Sequence, residues 1–153
     1  MIIYYSHSNT TKAVAEKLSQ FTQDTLFRLV PQTAEPVDET QFIAADQQAL
    51  AQQQLPALKT AVPDLAAEET IFIGFPTWWG QPPQIIQTLF AVADLSGKQI
   101  IPFTTSASDP ITTSLPVIKQ LAKQAQAQLA PGFRYQGEPA LRAFLQAQHL
   151  SIQ

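Results

Sequence analysis

Two short stretches hold most of the chemistry this sequence can offer. In Ser6-His7-Ser8-Asn9-Thr10-Thr11, five of the six side chains are short hydroxyls or an amide, and residues patterned as a helix follow directly. Free N–H groups at a helix start, together with the positive end of its dipole, can grip a phosphate alongside hydroxyls without a lysine. Ordinary helix capping needs only one or two such residues. The stretch lacks both the glycines of a dinucleotide fingerprint and the Gly-Lys-Ser/Thr ending of a nucleoside-triphosphate loop, which counts against NAD and ATP. His7 sits in the loop by position, with no role assigned to it. The second stretch, Pro76-Thr77-Trp78-Trp79-Gly80-Gln81-Pro82-Pro83, contains both tryptophans of the chain between prolines. A stiff, flat, aromatic loop suits stacking against a planar ring system; the plainer alternative is that both indoles fill a gap between helix and sheet.

Short apolar runs alternating with amphipathic stretches must position these loops, a pattern that predicts βαβ units and a parallel sheet covered on both faces. Strands are expected at 2–6, 25–30, 70–75, 99–104 and 133–136, and helices at 11–21, 46–54, 83–93, 113–128 and 139–148. In the first helix Val14, Ala15, Leu18 and Phe21 recur at helical spacing. The region 31–62, broken by prolines around a glutamine-rich stretch, is the least legible, and its glutamines read as a solvated helix face. Pro102 conflicts with a central strand, because proline cannot donate to a ladder.

The 153 residues fit one domain spanning 1–153, and 45% hydrophobic with 14% charged residues is a globular composition. The absence of cysteine removes disulfides, thiolate nucleophiles, iron-sulfur ligation and cysteine-type zinc sites. Any redox chemistry must therefore come from a cofactor. His7 and His149 are the only imidazoles and are far apart in sequence, so neither metal-ligand spacing nor a nucleophile-base pair is present. The net charge of −3, with lysines and arginines scattered singly, gives no stripe for nucleic acid. No apolar run approaches membrane-spanning length, and no basic leader with a cleavage site precedes the first strand, so a cytoplasmic product is expected.

Taken together, Tyr4-Tyr5-Ser6-His7-Ser8-Asn9-Thr10-Thr11, Gly74-Phe75-Pro76-Thr77-Trp78-Trp79-Gly80 and Pro102-Phe103-Thr104-Thr105-Ser106 resemble the three cofactor-contacting segments of flavodoxins and flavodoxin-like FMN proteins, in the same order. The resemblance implies a three-layer α/β sandwich with a five-stranded parallel sheet of order 2-1-3-4-5, helices on both faces, and the ligand where the order reverses. By similarity, Ser6, Ser8, Asn9, Thr10 and Thr11 would bind the FMN phosphate. Pro76, Thr77, Trp78, Trp79 and Gly80 would line the isoalloxazine, and Thr104, Thr105, Ser106, Ala107 and Ser108 would form its other wall. The chain departs from the family in two places: Asn9 stands where a glycine is usual, and Ser106-Ala107-Ser108-Asp109-Pro110 replaces a segment that commonly holds glycines. A receiver domain shares the topology but needs acidic residues where this chain has Ser6 and Pro76.

The leading expectation is electron transfer through non-covalently bound FMN, with the flavin rather than any side chain carrying the chemistry. Partners would be a larger redox protein; Glu35, Asp38 and Glu39 make a thin acidic patch for docking. One alternative is an NAD(P)H:quinone-type oxidoreductase, in which the paired tryptophans suit a flat aromatic acceptor. Another is a flavodoxin-fold binding module that has lost FMN. An exposed Trp78 or Trp79 would also suit a homodimer interface.

Overall fold

The apolar run that opens the chain is a strand buried on both faces, with Ile2 and Tyr4 in one hydrophobic cluster and Ile3 and Tyr5 in the other. Successive side chains of a strand point to opposite faces, so one short strand feeds two cores. The computed structural model describes residues 1–150 and 152–153. In chain order the elements are β1 (Ile2–Tyr4), α1 (Thr10–Thr22), β2 (Leu26–Arg28), α2 (Glu39–Ala51), β3 (Thr70–Phe75), α3 (Gln84–Val92), β4 (Gln99–Thr104), α4 (Ile111–Gln124), β5 (Gln128–Leu129), β6 (Phe133–Arg134) and α5 (Glu138–Ala147). The pairings between these strands are parallel and the order is β2-β1-β3-β4-β5, with β6 also paired to β4. This is the flavodoxin-like α/β arrangement anticipated from the sequence.

On one face Ile3, Ile71, Ile73 and Phe75 pack with Ile85, Ile86 and Leu89 of α3 and Ile118 of α4. On the other, Ile2, Phe72, Ile101 and Phe103 pack with Val14 and Leu18 of α1 and Leu141 and Leu145 of α5. Apolar burial of this kind is the main favourable term in folding, and it fixes the strand ends from which the two loops emerge.

Three local expectations need correction. The fifth strand is not a single run at 133–136 but two two-residue pieces, β5 and β6. Pro102 explains the break. The Ile100 carbonyl takes the Ala130 N–H and the Thr104 carbonyl takes the Tyr135 N–H, so alternate residues of β4 face the fifth strand and Pro102 falls between them, with no N–H to give. Gly132 sits opposite; a Cβ there would lie 2.4 Å from the Pro102 carbonyl oxygen and 2.7 Å from its ring. The helix expected at 113–128 spans Ile111–Gln124 instead, because Gln126 turns the chain at φ 56° and Gln128 joins the sheet. The helix expected at 46–54 begins much earlier, at Glu39, where the Asp38 carboxylate accepts the Gln41 N–H at 2.9 Å. Only Phe42 of this helix is buried, so its sequence carries almost no amphipathic signal.

Candidate functional site

The phosphate-type loop leaves β1 and enters α1 through a left-handed turn. Asn9 adopts φ 65°, ψ 4° as the residue before α1, and its side chain makes no capping bond. Asparagine tolerates this region better than most residues, so it serves where a glycine is usual in the family. Arg28, on the neighbouring strand β2, donates to the Ser6 carbonyl at 2.7 Å and pins the start of the loop. The Ser8 and Thr10 hydroxyls are 3.2 Å apart, and Thr11 meets Thr105 at 2.8 Å. Ser6 is buried, and its hydroxyl has no hydrogen-bond partner among the described residues. A buried hydroxyl left unpaired costs free energy unless a ligand satisfies it.

The tryptophan loop is a tight hairpin in which Trp78 and Gln81 exchange backbone hydrogen bonds at 2.9 and 3.0 Å around Trp79 at φ 53° and Gly80 at φ 72°. Two consecutive positive φ angles are the mark of a type I′ turn, which normally takes asparagine or glycine first. A tryptophan there is strained, and its indole N–H is held by the Asp46 carboxylate of α2 at 2.7 Å. Trp79 is 51% exposed. Trp78 is half-buried and makes near-perpendicular contacts with Tyr5, Phe42 and His7, at centroid distances of 5.6, 5.1 and 6.1 Å.

Between the two loops lies a cavity of about 630 Å³, within the range usual for small-molecule sites. Ser6, Ser8, Thr10 and Thr11 line it on one side, and Pro76, Thr77, Trp78 and Trp79 on the other. The two stretches singled out from the sequence therefore meet. Asn9 and Gly80 shape the turns without lining this cavity. The third segment stands behind it: Thr104 holds Thr77 at 2.7 Å and Thr105 holds Thr11 at 2.8 Å, while Ala107 and Ser108 are exposed. The missing glycines there are offset by Ser106, whose hydroxyl accepts the Asp109 N–H at 2.9 Å and the Ser108 N–H at 3.4 Å, closing the turn with a side chain.

The sequence reading missed the contribution of α2. Glu39, Phe42, Ile43 and Asp46 form the rest of the cavity lining together with His7. Phe42 stacks on the His7 ring at 3.7 Å with planes 16° apart. Behind them Glu35 accepts from the Tyr5 hydroxyl with one oxygen and lies 3.2 Å from His7 Nδ1 with the other. Glu35, Asp38 and Glu39 have separate duties: one anchors Tyr5 and His7, one caps α2, and one lines the cavity. The only signal available beforehand was Phe42 itself, the sole aromatic between Pro31 and Glu69.

Burial, followed by the hydrogen bond to Glu35, pushes the Tyr5 phenol well above its ordinary range. Burial also raises Tyr4, with Arg28 opposing. A folded-state value above the unfolded one contributes stability that is complete below about pH 10 and is lost as pH climbs past it. Urea unfolding at pH 9 and pH 11 should therefore show a marked fall in stability, and Tyr5→Phe should lessen that fall. Equal losses in the two proteins would mean that Tyr5 ionises freely.

A second cavity of about 470 Å³ lies on the other side of Phe42, Asp46 and Trp78, which line both spaces. Its remaining walls come largely from prolines and alanines of the segments after β2 and α2, with Gln84 of α3, whose side-chain oxygen is buried without a partner among the described residues.

FMN, the cofactor implied by the sequence pattern, fits the first cavity on three observations: the unpaired Ser6 hydroxyl within a hydroxyl-rich turn, a volume suited to a small ligand, and an indole in the opposite wall. No helix among the described residues is long and apolar enough to cross a membrane. A sequence model of the family described as Flavodoxin matches residues 1–140. No curated protein matches. Among solved structures, a protein of Bacteroides eggerthii DSM 20697 assigned as a flavoprotein is similar with a TM-score of 0.85 at 27% identity, covering 95% of this chain and 94% of that one. A Bacteroides uniformis ATCC 8492 protein with the same assignment gives 0.81 at 23% identity, over 95% and 96%. The flavoprotein of Lactobacillus acidophilus NCFM, solved in complex with FMN, gives 0.76 at 23% identity, over 87% and 90%.

Proposed function

We propose that this chain, which belongs to the flavodoxin family, holds FMN between its serine-threonine loop and its tryptophan hairpin and serves as an electron-transfer protein. The observation that carries this reading is one cavity with Ser6, Ser8, Thr10 and Thr11 in one wall and Trp78 in the other. The FMN complex of the Lactobacillus relative supports it. Bound FMN supplies reversible acceptance and release of electrons. The protein supplies position: Ser6, Ser8, Thr10 and Thr11 hold the phosphate, Trp78 covers the ring, and Thr104 and Thr105 brace both arms from behind.

The second cavity favours a second reading, an oxidoreductase that passes electrons from NAD(P)H to a small aromatic acceptor. The space shares Trp78 with the first, has mainly apolar walls and contains no lysine or arginine among the described residues, which suits an uncharged planar molecule better than an anion.

One experiment separates these readings. The FMN-loaded protein is reduced anaerobically with dithionite and mixed with cytochrome c, and separately the oxidised protein is given NAD(P)H with and without 1,4-naphthoquinone. A carrier reoxidises with cytochrome c and leaves NAD(P)H untouched. Quinone-dependent NAD(P)H consumption at turnover supports the enzyme instead, and bound flavin that exchanges electrons in neither arrangement overturns both.

A further inference from the structure

We propose that Thr104 and Thr105, consecutive residues at the end of β4, are separate positioning residues for the two halves of the cofactor: Thr104 holds the tryptophan hairpin for the flavin ring, and Thr105 holds the serine-threonine loop for the phosphate. This division of labour rests on the FMN reading above. Neither residue lines the cavity, so both act through the arms they grip.

Strand geometry separates the two side chains. Successive residues of a strand face opposite sides of the sheet: Ile100 packs in the cluster that includes α3 and α4, whereas Ile101 and Phe103 pack in the one that includes α1 and α5. Thr104 continues the Ile100 side, and Thr105 falls on the other. The hydroxyls follow this alternation. Thr104 meets Thr77, the residue before Trp78, at 2.7 Å, and Thr77 lies 3.4 Å from the Ser114 hydroxyl of α4. Thr105 meets Thr11 of α1 at 2.8 Å. No side-chain hydrogen bond joins one pair to the other among the described residues.

The two threonines stand on fixed backbone. The Thr104 carbonyl accepts the Tyr135 N–H at 2.9 Å, and the Thr105 N–H donates to the Phe75 carbonyl at 3.3 Å, which ties the end of β4 to its neighbours on both sides. The arms they grip turn through positive φ, at Trp79 (53°) and at Asn9 (65°), a backbone state that persists only when the surroundings enforce it. Thr104 and Ser114 have no exposed surface and Thr11 is 1% exposed, so these hydroxyls depend on one another for partners rather than on solvent. A rigid sheet end that grips each loop through one buried hydroxyl pre-organises the site.

The test compares Thr104→Val with Thr105→Val, each of which removes one hydroxyl at nearly constant shape. FMN and riboflavin, which lacks the phosphate, are titrated into the flavin-free proteins by calorimetry. Loss of one hydrogen bond should weaken binding about three- to tenfold. In Thr104→Val the loss should fall equally on both flavins; in Thr105→Val it should fall on FMN, so that the preference for FMN over riboflavin drops by that factor. Thr104→Ser and Thr105→Ser keep the hydroxyl and should restore the parent pattern. Amide exchange in the flavin-free proteins is the second readout. Thr104→Val should speed exchange of the Trp78 and Gln81 N–H groups that close the hairpin, and Thr105→Val that of the Ala13 N–H, which donates to the Asn9 carbonyl, each without the other. This pattern decides alone where riboflavin binds too weakly to measure. Thr77→Val and Thr11→Val break the same bonds from the opposite side and repeat the exchange test where a first variant does not fold. Variants that shift the flavin preference alike, that loosen the same amides, or that move neither readout overturn the proposal, as do serine variants as impaired as the valines. A parent protein that binds neither flavin overturns the FMN reading, and the exchange pattern then still decides whether the two threonines hold separate arms.

Discussion

Replacing Gly74 by alanine should destabilise the protein by about 3 kcal/mol or more, at the upper end of overpacking effects in a tight core. Gly74 lies in β3 directly beside Phe103 of β4 and Tyr4 of β1. The Phe103 ring lies over it so closely that an added Cβ would stand 2.1 Å from its Cζ. Phe103 is fully buried and stacks on Phe133 at 5.4 Å with planes 9° apart, so the ring has no free direction in which to retreat. For a chain of this length the melting temperature should fall by roughly 6–12 °C. Thermal unfolding followed by circular dichroism measures this, and Phe103→Leu in the same chain should recover part of the loss, since neighbouring substitutions that share one clash do not add. A Gly74→Ala protein melting within a degree or two of the parent would show that the ring does not occupy this space.

Trp78→Ala should weaken FMN binding roughly 10- to 100-fold, the range expected when one aromatic stacking partner is removed. Trp78 is half-buried, braced by Tyr5, His7 and Phe42, and forms part of the wall opposite the serine-threonine loop. Trp79 lines the same cavity but is half exposed, with its indole nitrogen committed to Asp46, so Trp79→Ala should cost well under tenfold. Calorimetry gives the affinities. Fluorescence offers a second check: with Trp79→Phe the remaining indole should still be quenched by stoichiometric FMN, whereas with Trp78→Phe most quenching should disappear. The reverse pattern would assign the ring to Trp79.

Where apolar pattern and local chemistry agreed, the structure could be read in advance. The strands around Ile2, Ile71 and Ile100 were legible because burial on both faces leaves an unbroken apolar run, and the meeting of Ser6–Thr11 with Trp78 followed from their places at strand ends. The extent of α2 was not legible: a helix that buries only Phe42 has no periodic signature, and its Asp38 cap lies in a stretch broken by Pro31 and Pro36. The duties of Glu35 and His7 depend on β1 and β2 lying side by side, a long-range pairing that no local spacing displays. Pro102 shows the opposite case: the conflict was visible in the sequence, but its resolution by Gly132 and a divided fifth strand required three dimensions.

That division has a further effect at the margins of the sheet. A long, flat, unpaired strand is a template onto which another chain can add by main-chain hydrogen bonding. Here one margin is the three-residue β2, and the other is a pair of two-residue fragments separated by Ala130, Pro131 and Gly132. Neither offers a continuous ladder for a foreign segment to copy, so the same proline that interrupts the fifth strand also protects the protein against edge-to-edge polymerisation.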